Sequence, residues 1–318
     1  MKILITSPMS SVGRKVLREL LAPEFSVRVL ARDPALLPPE VQEKAEVVRG
    51  SMGDPAALTQ ALEGIDALLW CVPGAALHEK SVRGHYERFA RSGFLALRET
   101  GTPRVVSISA GGKGFARNAG PISGLHAMEE ILNDSGAAIR HLRCAWFMEN
   151  FQRQARSIAR RQLISYPMPA DVPIPMAAVT DIADAALRWL VRRDWKGIEG
   201  VAVHGPEDLS YSRAAAVIEQ TLERPLQYKE VSANHYVRAL TRFGASEEYA
   251  RSRVEMFSEL AGGISRAEPR TVESTTATKL GVWAESELRP LVESLHPQTQ
   301  RAAARLRLRE TAHQNGNA

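Results

Sequence analysis

Three small residues early in the chain stand where a dinucleotide-binding turn has its glycines. Only the last position holds glycine, Gly13, while Ser7 and Ser10 occupy the two earlier positions. The turn lies between an apolar run at 2–6 and a segment with apolar residues at helical spacing, so it opens a helix whose N-terminal amides attract phosphate. A serine side chain restricts close approach of the backbone, although its hydroxyl can donate to a phosphate oxygen. We therefore predict a pyrophosphate site formed by Thr6, Ser7, Ser10, Ser11, Val12, Gly13 and Arg14, with a ligand-free strand–helix turn as the alternative.

A basic residue follows the second apolar run. Arg32 stands where an acidic residue would hold the ribose 2′-hydroxyl of NAD, and arginine suits the 2′-phosphate of NADP instead. Arg14, beside the phosphate turn, is placed to assist. The sequence therefore favours NADP(H) over NAD(H), and the alternative for Arg32 is a solvated charge at a strand end.

Further candidates follow the later strands, because ligands of open parallel sheets lie at the carboxyl ends of the strands. We assign Val72, Pro73 and Ser109 to the cofactor, and Gly111, Trp146, Phe147 and Asn150 to the substrate. The amide of Asn150 needs a hydrogen-bond partner. The alternatives are a turn role for Ser109 and core packing for the two aromatic residues.

Apolar runs alternate with helical spacing along the first half of the chain. Runs suited to buried strands lie at 2–6, 25–31, 45–49, 66–72, 104–109 and 139–142, with helices between them that include 55–62, 79–99 and 128–133. Asp54 is expected to cap the first of these helices and Pro55 to begin it. Right-handed crossovers place such helices on both faces of a sheet. The sequence therefore predicts an α/β fold, a Rossmann-type doubly wound parallel sheet with a smaller, mostly helical C-terminal substrate lobe.

The pattern changes after residue 150. We predict a basic helix at 152–161, an extended proline-rich loop at 166–175, helices at 180–192 and 210–222, a strand at 200–204, and a charged helical region at 232–261. Asp181 and Ser210 are the expected helix caps. We assign 1–150 to a Rossmann domain to which 176–204 return, 151–175 and 205–300 to the substrate lobe, and 301–318 to a basic, partly frayed tail that follows a basic helix at 298–309.

Composition limits the class of protein. With 318 residues, of which 44% are hydrophobic and 24% charged, the chain is of ordinary globular type and can bury a sizeable core. The net charge of +5 is spread along the chain apart from a basic C-terminal stretch, and this even distribution disfavours a nucleic-acid partner.

Cys71 and Cys144 lie in apolar runs, so we expect neither a disulfide framework nor a metal site. No apolar run is long enough to span a bilayer and the N-terminus lacks a signal-peptide pattern, so we expect a cytoplasmic protein without membrane contact.

Short motifs along residues 1–225 together resemble the NmrA-like proteins, atypical members of the short-chain dehydrogenase/reductase superfamily. The motifs include Val12-Gly13-Arg14, Ala31-Arg32-Asp33-Pro34, Val106-Ser107-Ile108-Ser109, Trp146-Phe147-Met148-Glu149-Asn150, Thr180-Asp181-Ile182-Ala183 and His204-Gly205-Pro206-Glu207. The resemblance implies a Rossmann domain, a smaller substrate domain, a cleft between them and NAD(P) binding. Such proteins include NADPH-dependent reductases of quinones and azo compounds as well as non-catalytic sensors of the NADP/NADPH ratio.

The usual catalytic pair of the superfamily is missing. Its reductases generally use a Tyr with a Lys four residues later, and none of the six tyrosines has that lysine. The position where the family usually has Lys or His falls on Leu125. The adjacent His126 is our candidate catalytic residue, since a neutral imidazole in the cleft can protonate a substrate oxygen, and a surface histidine is the alternative.

Three functions stay open on the sequence alone. The first is an NADPH-dependent reductase of a small aromatic or quinone-like substrate, with Trp146, Phe147 and the loop at 167–175 forming an apolar pocket. The second is a non-catalytic NADP(H) sensor, and the third is a family member with non-redox chemistry such as cyclisation or isomerisation. We expect a monomer or homodimer whose partner is a small-molecule substrate.

Overall fold

A seven-stranded parallel sheet organises the molecule, which confirms the predicted fold class. The computed structural model describes residues 1–114 and 118–295. The strands in these residues are β1 Lys2–Ile5, β2 Ser26–Ala31, β3 Glu46–Arg49, β4 Ala67–Trp70, β5 Arg104–Ala110, β6 Ala138–Cys144, β7 Trp146–Phe147, β8 Leu163–Tyr166, β9 Ile174–Ala177, β10 Ile198–Val203, β11 Asp208–Leu209 and β12 Gln227–Glu230. The main sheet has the order β10-β6-β5-β4-β1-β2-β3, and all its pairs are parallel. The central strand β4 is buried along its whole length because helices cover both faces.

Helices connect the strands and cover the sheet. The α-helices of the described residues are α1 Ser11–Leu20, α2 Pro39–Lys44, α3 Pro55–Leu62, α4 Val82–Thr100, α5 Pro121–Asn133, α6 Ala155–Arg161, α7 Val179–Val191, α8 Tyr211–Leu222, α9 Ala233–Arg242, α10 Glu247–Ala261, α11 Leu280–Trp283 and α12 Arg289–Leu295. Short 3₁₀ segments lie at Pro34–Leu36, Met148–Gln154 and Ile264–Arg266, and a π-helical turn lies at Ala284–Leu288. In the sheet part, α1 packs with α7, and α4 packs between α3 and α5.

Helix caps mostly follow the sequence. Asp54 accepts hydrogen bonds from the Ala56 and Ala57 amides and caps α3, which begins at Pro55 as predicted. Ser210 caps α8 in the same way. The prediction for Asp181 is wrong, because α7 begins at Val179 without a side-chain cap. The Asp181 carboxylate instead accepts from the amide and the hydroxyl of Thr278, at 3.0 and 2.7 Å, and so fixes a C-terminal segment against α7.

A separate apolar core lies beyond the sheet. It packs α6, α8, α10 and α11 around a group of aromatic side chains that includes Trp146, Phe151, Tyr211, Phe257 and Trp283. Two small sheets border this core, in the orders β11-β9-β7 and β12-β8.

Some predicted bounds are wrong. The stretch predicted as a loop at 166–175 begins and ends in the strands β8 and β9. The helix expected from 128 begins at Pro121, where a proline at the first helical position needs no amide partner. The basic helix expected at 152–161 starts as a 3₁₀ turn, Met148–Gln154, before α6. The predicted basic helix at 298–309 and tail at 301–318 lie outside the described residues.

Candidate active site

Ser10 holds the turn between β1 and α1. Its Oγ accepts a hydrogen bond from the Gly13 amide at 3.0 Å and donates to the Ser7 carbonyl oxygen at 2.9 Å. Ser10 is thus the N-cap of α1, and its one hydroxyl proton is used inside the turn. The amides of Ser11 and Val12 precede any acceptor within the helix, and both residues line the cleft described below. Because Gly13 also keeps the backbone in close contact with Ser7, the turn fits the phosphates of a dinucleotide.

Thr6 and Ser7 lie buried beneath this turn. The Thr6 hydroxyl donates to the Leu69 carbonyl oxygen at 3.1 Å and accepts from the Cys71 amide at 3.3 Å. The Ser7 hydroxyl lies 3.7 Å from the Met52 sulfur. Both hydroxyls are therefore engaged within the protein and tie β1 to its neighbours.

Exposed arginines border the carboxyl ends of β2 and β3. Arg32 follows β2, and Arg49 ends β3, where it lies opposite Ala31 in the ladder. Neither they nor Arg14 on α1 form an ion pair with any carboxylate among the described residues. The neighbouring Asp33 accepts from the Ala35 amide at 3.2 Å and caps a 3₁₀ turn. This edge of the sheet therefore presents unpaired positive charge.

A cleft of about 460 Å³ lies at the carboxyl ends of β4, β5 and β6, beside the N-terminus of α1. This volume suits a small organic ligand. Of the predicted site residues, Ser10, Ser11, Val12, Val72, Pro73, Ser109, Gly111, Trp146, Phe147 and Asn150 line it. Thr6, Ser7, Gly13, Arg14, Arg32 and His126 do not. The structure thus brings the end of the phosphate turn and the predicted substrate wall into one space.

Ser109 belongs to an ionic network at the edge of the cleft. Its hydroxyl donates to Glu129 Oε1 at 2.6 Å, and Glu129 Oε2 pairs with Arg143 Nη2 at 2.9 Å. Burial opposes ionisation of Glu129, but the hydrogen bonds from Arg143 and Ser109 outweigh it and hold the pKa of this carboxyl below its usual value. Ser109 is therefore fixed in position while it lines the cleft.

Glu268 extends the network to the C-terminal half of the chain. It lies 3.5 Å from Arg143, and it accepts hydrogen bonds from the amides of Gly112 at 2.5 Å and Lys113 at 3.4 Å. The loop that follows β5 is thus attached to the segment after the Ile264–Arg266 turn.

His126 lies behind the wall of the cleft. Its Nε2–H donates to the Ala110 carbonyl oxygen at 2.9 Å, and burial lowers its pKa. Leu125, which occupies the position of the family's Lys or His, lines the cleft instead. The cleft therefore has an apolar side chain at the family's Lys or His position, and His126 does not reach the cleft from the neighbouring position.

Trp146 belongs to both the cleft and the aromatic core. Its ring packs edge-on against Tyr166 and Tyr211, with centroids 5.8 and 6.0 Å away. Asn150 lines the cleft nearby, and its side-chain amide has no hydrogen-bond partner among the described residues. Asn150 thus offers a donor and an acceptor to a ligand.

One face of α10 forms a wall of the cleft that we did not predict. Tyr249, Arg253, Met256 and Leu260 line the cleft at spacings of four, three and four residues. Gly120 permits this arrangement, since a β-carbon there would lie 2.0 Å from the Ser252 carbonyl oxygen of α10. The helical spacing is the signal that would have identified this wall.

His204 is a second functional candidate that sequence reasoning missed. It directly follows β10, lines the cleft and is only 4% exposed. Its Nδ1 is buried and has no hydrogen-bond partner in the part of the chain that the structure describes. Burial and the charge of Arg270 lower its pKa, so the imidazole is neutral at neutral pH. The signal for His204 is its place after the last strand of the sheet.

The described residues lack two kinds of feature. They contain no group of three or more His, Cys, Asp or Glu side chains arranged to hold a metal ion. No helix in residues 1–114 and 118–295 is both long and apolar enough to cross a membrane.

Comparison with known proteins gives consistent similarities. Residues 10–167 match the model of a family described as NAD(P)H-binding. The chain is 28% identical to (4-alkanoyl-5-oxo-2,5-dihydrofuran-3-yl)methyl phosphate reductase of Streptomyces griseus, over 73% of this chain and 78% of that protein. It is 24% identical to quinone oxidoreductase 2 of Escherichia coli, over 78% and 84%. The crystal structure of the NADPH-dependent quinone oxidoreductase of Escherichia coli with NADPH superposes with a TM-score of 0.69 at 21% identity, covering 96% of this chain and 99% of that one, which shows a shared fold.

Proposed function

We propose that this chain is an NADPH-dependent reductase of a small aromatic or quinone-like substrate and a member of the NmrA-like group of atypical short-chain dehydrogenase/reductases. Residues 10–167 match an NAD(P)H-binding family, and the fold is shared with the NADPH-dependent quinone oxidoreductase. One observation carries the proposal: the phosphate-type turn at Ser10–Val12 and the aromatic wall at Trp146 and Phe147 line the same cleft. A cofactor anchored at the turn and an apolar substrate on the wall thus share one space. The reductase and oxidoreductase names of the two relatives support redox chemistry.

We assign parts of the chain to parts of the cofactor. The amides of Ser11 and Val12 bind the pyrophosphate, and Arg32 binds the 2′-phosphate with Arg14 and Arg49 nearby. Val72 and Pro73, after β4, border the remainder of the dinucleotide. When bound, NADPH supplies the hydride, and the substrate gains that hydride and one proton.

We assign two side chains of the cleft to the substrate. The neutral imidazole of His204 donates a hydrogen bond to a substrate oxygen and polarises it. The amide of Asn150 positions the same ligand. The proton that completes the reduction comes from water, as suits a quinone whose reduced form is a stable anion.

Calorimetric titration with NADPH and NADH, followed by assays of NADPH oxidation against quinones, azo dyes and enones, tests this function. We expect tight NADPH binding and oxidation by at least one member of the panel. Binding of NADPH without any oxidation would favour the sensor, and the affinities for NADP and NADPH would then be compared. Absence of NADPH binding would favour the non-redox alternative.

A further inference from the structure

Two arginines line the cleft on the side contributed by the C-terminal half of the chain. Arg153 lies in the last turn of the 3₁₀ segment Met148–Gln154, and Arg253 lies on the cleft-facing side of α10. They come from different elements, and the charges of both act on the phenols of Tyr86, Tyr166 and Tyr236. The two guanidinium groups therefore border the same region of the cleft.

The charges of these arginines are not neutralised within the protein. Neither forms an ion pair with a carboxylate among residues 1–114 and 118–295. The polar and ring contacts of Arg253 within the described residues are with the Met256 sulfur, which lies 3.5 Å from the Arg253 guanidinium, the ring of Phe257 and the Tyr236 phenol. Arg143, by contrast, pairs with Glu129. Unpaired guanidinium groups in a largely apolar cleft attract anions.

Two phenol side chains complete the surroundings. Tyr86 and Tyr249 line the cleft beside the arginines, and neither hydroxyl has a hydrogen-bond partner among the described residues. Burial raises the pKa of Tyr86 to about 12, although the charges of Arg253 and Arg153 oppose this, so its hydroxyl keeps its proton at neutral pH. A protonated phenol such as that of Tyr86 donates a hydrogen bond to an anion without repelling it.

We propose that Arg153 and Arg253 form a receptor for a phosphate monoester carried by the substrate. A phosphate monoester has close to two negative charges at neutral pH and three acceptor oxygens, which matches two guanidinium forks and the nearby phenols. A carboxylate would leave one of the two positive charges unpaired. The inference rests on the proposed reductase function and narrows its substrate to a phosphorylated small molecule with an apolar, reducible part. The phosphate is held and takes no part in bond making or breaking.

Titration of phenyl phosphate, benzoate and benzyl alcohol into the full-length chain saturated with NADP tests the receptor. Saturation with NADP blocks the phosphate sites of the cofactor. We expect phenyl phosphate to bind most tightly, and Arg153→Gln and Arg253→Gln each to weaken it by about tenfold or more. Arg156→Gln is the matched control, because Arg156 lies exposed on the adjacent α6 and outside the cleft. Binding of benzyl alcohol should be the same in all variants.

The outcomes separate the receptor from the reductase proposal. Equal binding of phenyl phosphate by the native chain and both cleft variants would overturn the receptor, as would benzoate binding at least as tightly as phenyl phosphate. Arg153 is exposed, so Arg153→Gln should fold normally, and a thermal melt checks both variants. Failure of NADP to bind would refute the cofactor assignment alone, because the dependence of phenyl phosphate binding on Arg153 can still be measured without it.

Discussion

Gly13 lies so close to Ser7 that a β-carbon at residue 13 would sit 2.1 Å from the Ser7 carbonyl oxygen. The backbone can relieve the clash of this β-carbon with the Ser7 carbonyl oxygen only by moving the turn that presents the Ser11 and Val12 amides. We therefore expect Gly13→Ala to weaken NADPH binding at least about tenfold, measured by calorimetry. Gly281→Ala is the control, since a β-carbon there meets only Thr221 and Val217 at ordinary distances of 3.5 and 3.6 Å. Unchanged NADPH affinity in the Gly13 variant would show that the pyrophosphate binds elsewhere.

Arg32 should determine the choice of cofactor. A charge-assisted hydrogen bond to the 2′-phosphate contributes about 1.5–3 kcal/mol, so Arg32→Ala should reduce the preference for NADPH over NADH by roughly tenfold or more. Arg91→Ala, an exposed position on α4, should leave the preference unchanged. Equal affinities of the native chain for both cofactors would refute the assignment.

His204 and His126 should differ in their effect on turnover. Removal of one preorganised hydrogen-bond donor to a developing oxyanion lowers kcat by about 10²–10³-fold, so we expect His204→Gln to lower kcat at least tenfold with an accepted substrate. His126→Gln should change kcat little, because His126 donates to the Ala110 carbonyl oxygen and does not line the cleft. Steady-state kinetics of both variants measure these changes in kcat. A larger loss of kcat in His126→Gln than in His204→Gln would return the catalytic role to His126.

Glu129 should be essential for stability. Glu129→Gln leaves the Arg143 charge without its closest partner, and breaking such a buried pair costs about 3–5 kcal/mol. We expect the lower end of this range because Glu268 remains 3.5 Å from Arg143. Glu130→Gln is the matched control, since the Glu130 side chain is 64% exposed and its pair with Lys113 should contribute no more than about 1 kcal/mol. Urea denaturation measures the free energy of unfolding of both variants. Similar losses of that free energy in the two variants would contradict the prediction.

His141 should make stability depend on pH. Its Nδ1 accepts from the Ser107 hydroxyl at 2.6 Å and its Nε2–H donates to Asn133 at 2.8 Å, and burial lowers its pKa to about 4. The unfolded chain, with a histidine pKa near 6.5, takes up this proton first as the pH falls, so the folded state loses stability from about pH 6.5 down to about pH 4.

Between about pH 7 and pH 5, His141 lowers the free energy of unfolding by about 2 kcal/mol, since each unit of pKa difference corresponds to about 1.4 kcal/mol. Urea denaturation at the two pH values checks this. The buried His126 and His204 add losses of the same sign, so the His141 share is the part that disappears in His141→Gln. An unchanged pH dependence in that variant would contradict the assignment.

The fold was predictable because its signals are local. Apolar runs, the Asp54-Pro55 start of α3 and the Ser210 cap each lie within a few residues of the element they define. The turn after β1 was recognisable for the same reason, and its role as a phosphate site stays a prediction. The hydrogen bonds of Ser10, however, depend on the exact position of the Ser7 carbonyl oxygen, which the sequence does not specify. The division into a Rossmann domain and a substrate lobe stays a prediction.

The cleft was less predictable because its walls come from distant parts of the chain. Helical spacing groups Arg253 with apolar residues on one side of α10, but the sequence does not show that this side faces the carboxyl ends of the strands. The way α5 packs against β5 and α4 brings Leu125 rather than His126 to the wall of the cleft, and this packing is not visible in the sequence. His204 lines the cleft because β10 pairs with β6, and the sequence alone does not show this pairing.

The pairing of β10 with β6 also bears on how the chain folds as it is synthesised. β10 covers β6 along six residues, from Ile198 opposite Ile139 to Val203 opposite Cys144. The ribosome makes β6 long before β10, so during that interval the nascent sheet ends in β6, whose hydrogen-bonding groups on that side stay open. Such an edge recruits other strands and invites aggregation. Chains that stall or are truncated between 145 and 197 should therefore depend on chaperones far more than the finished protein does.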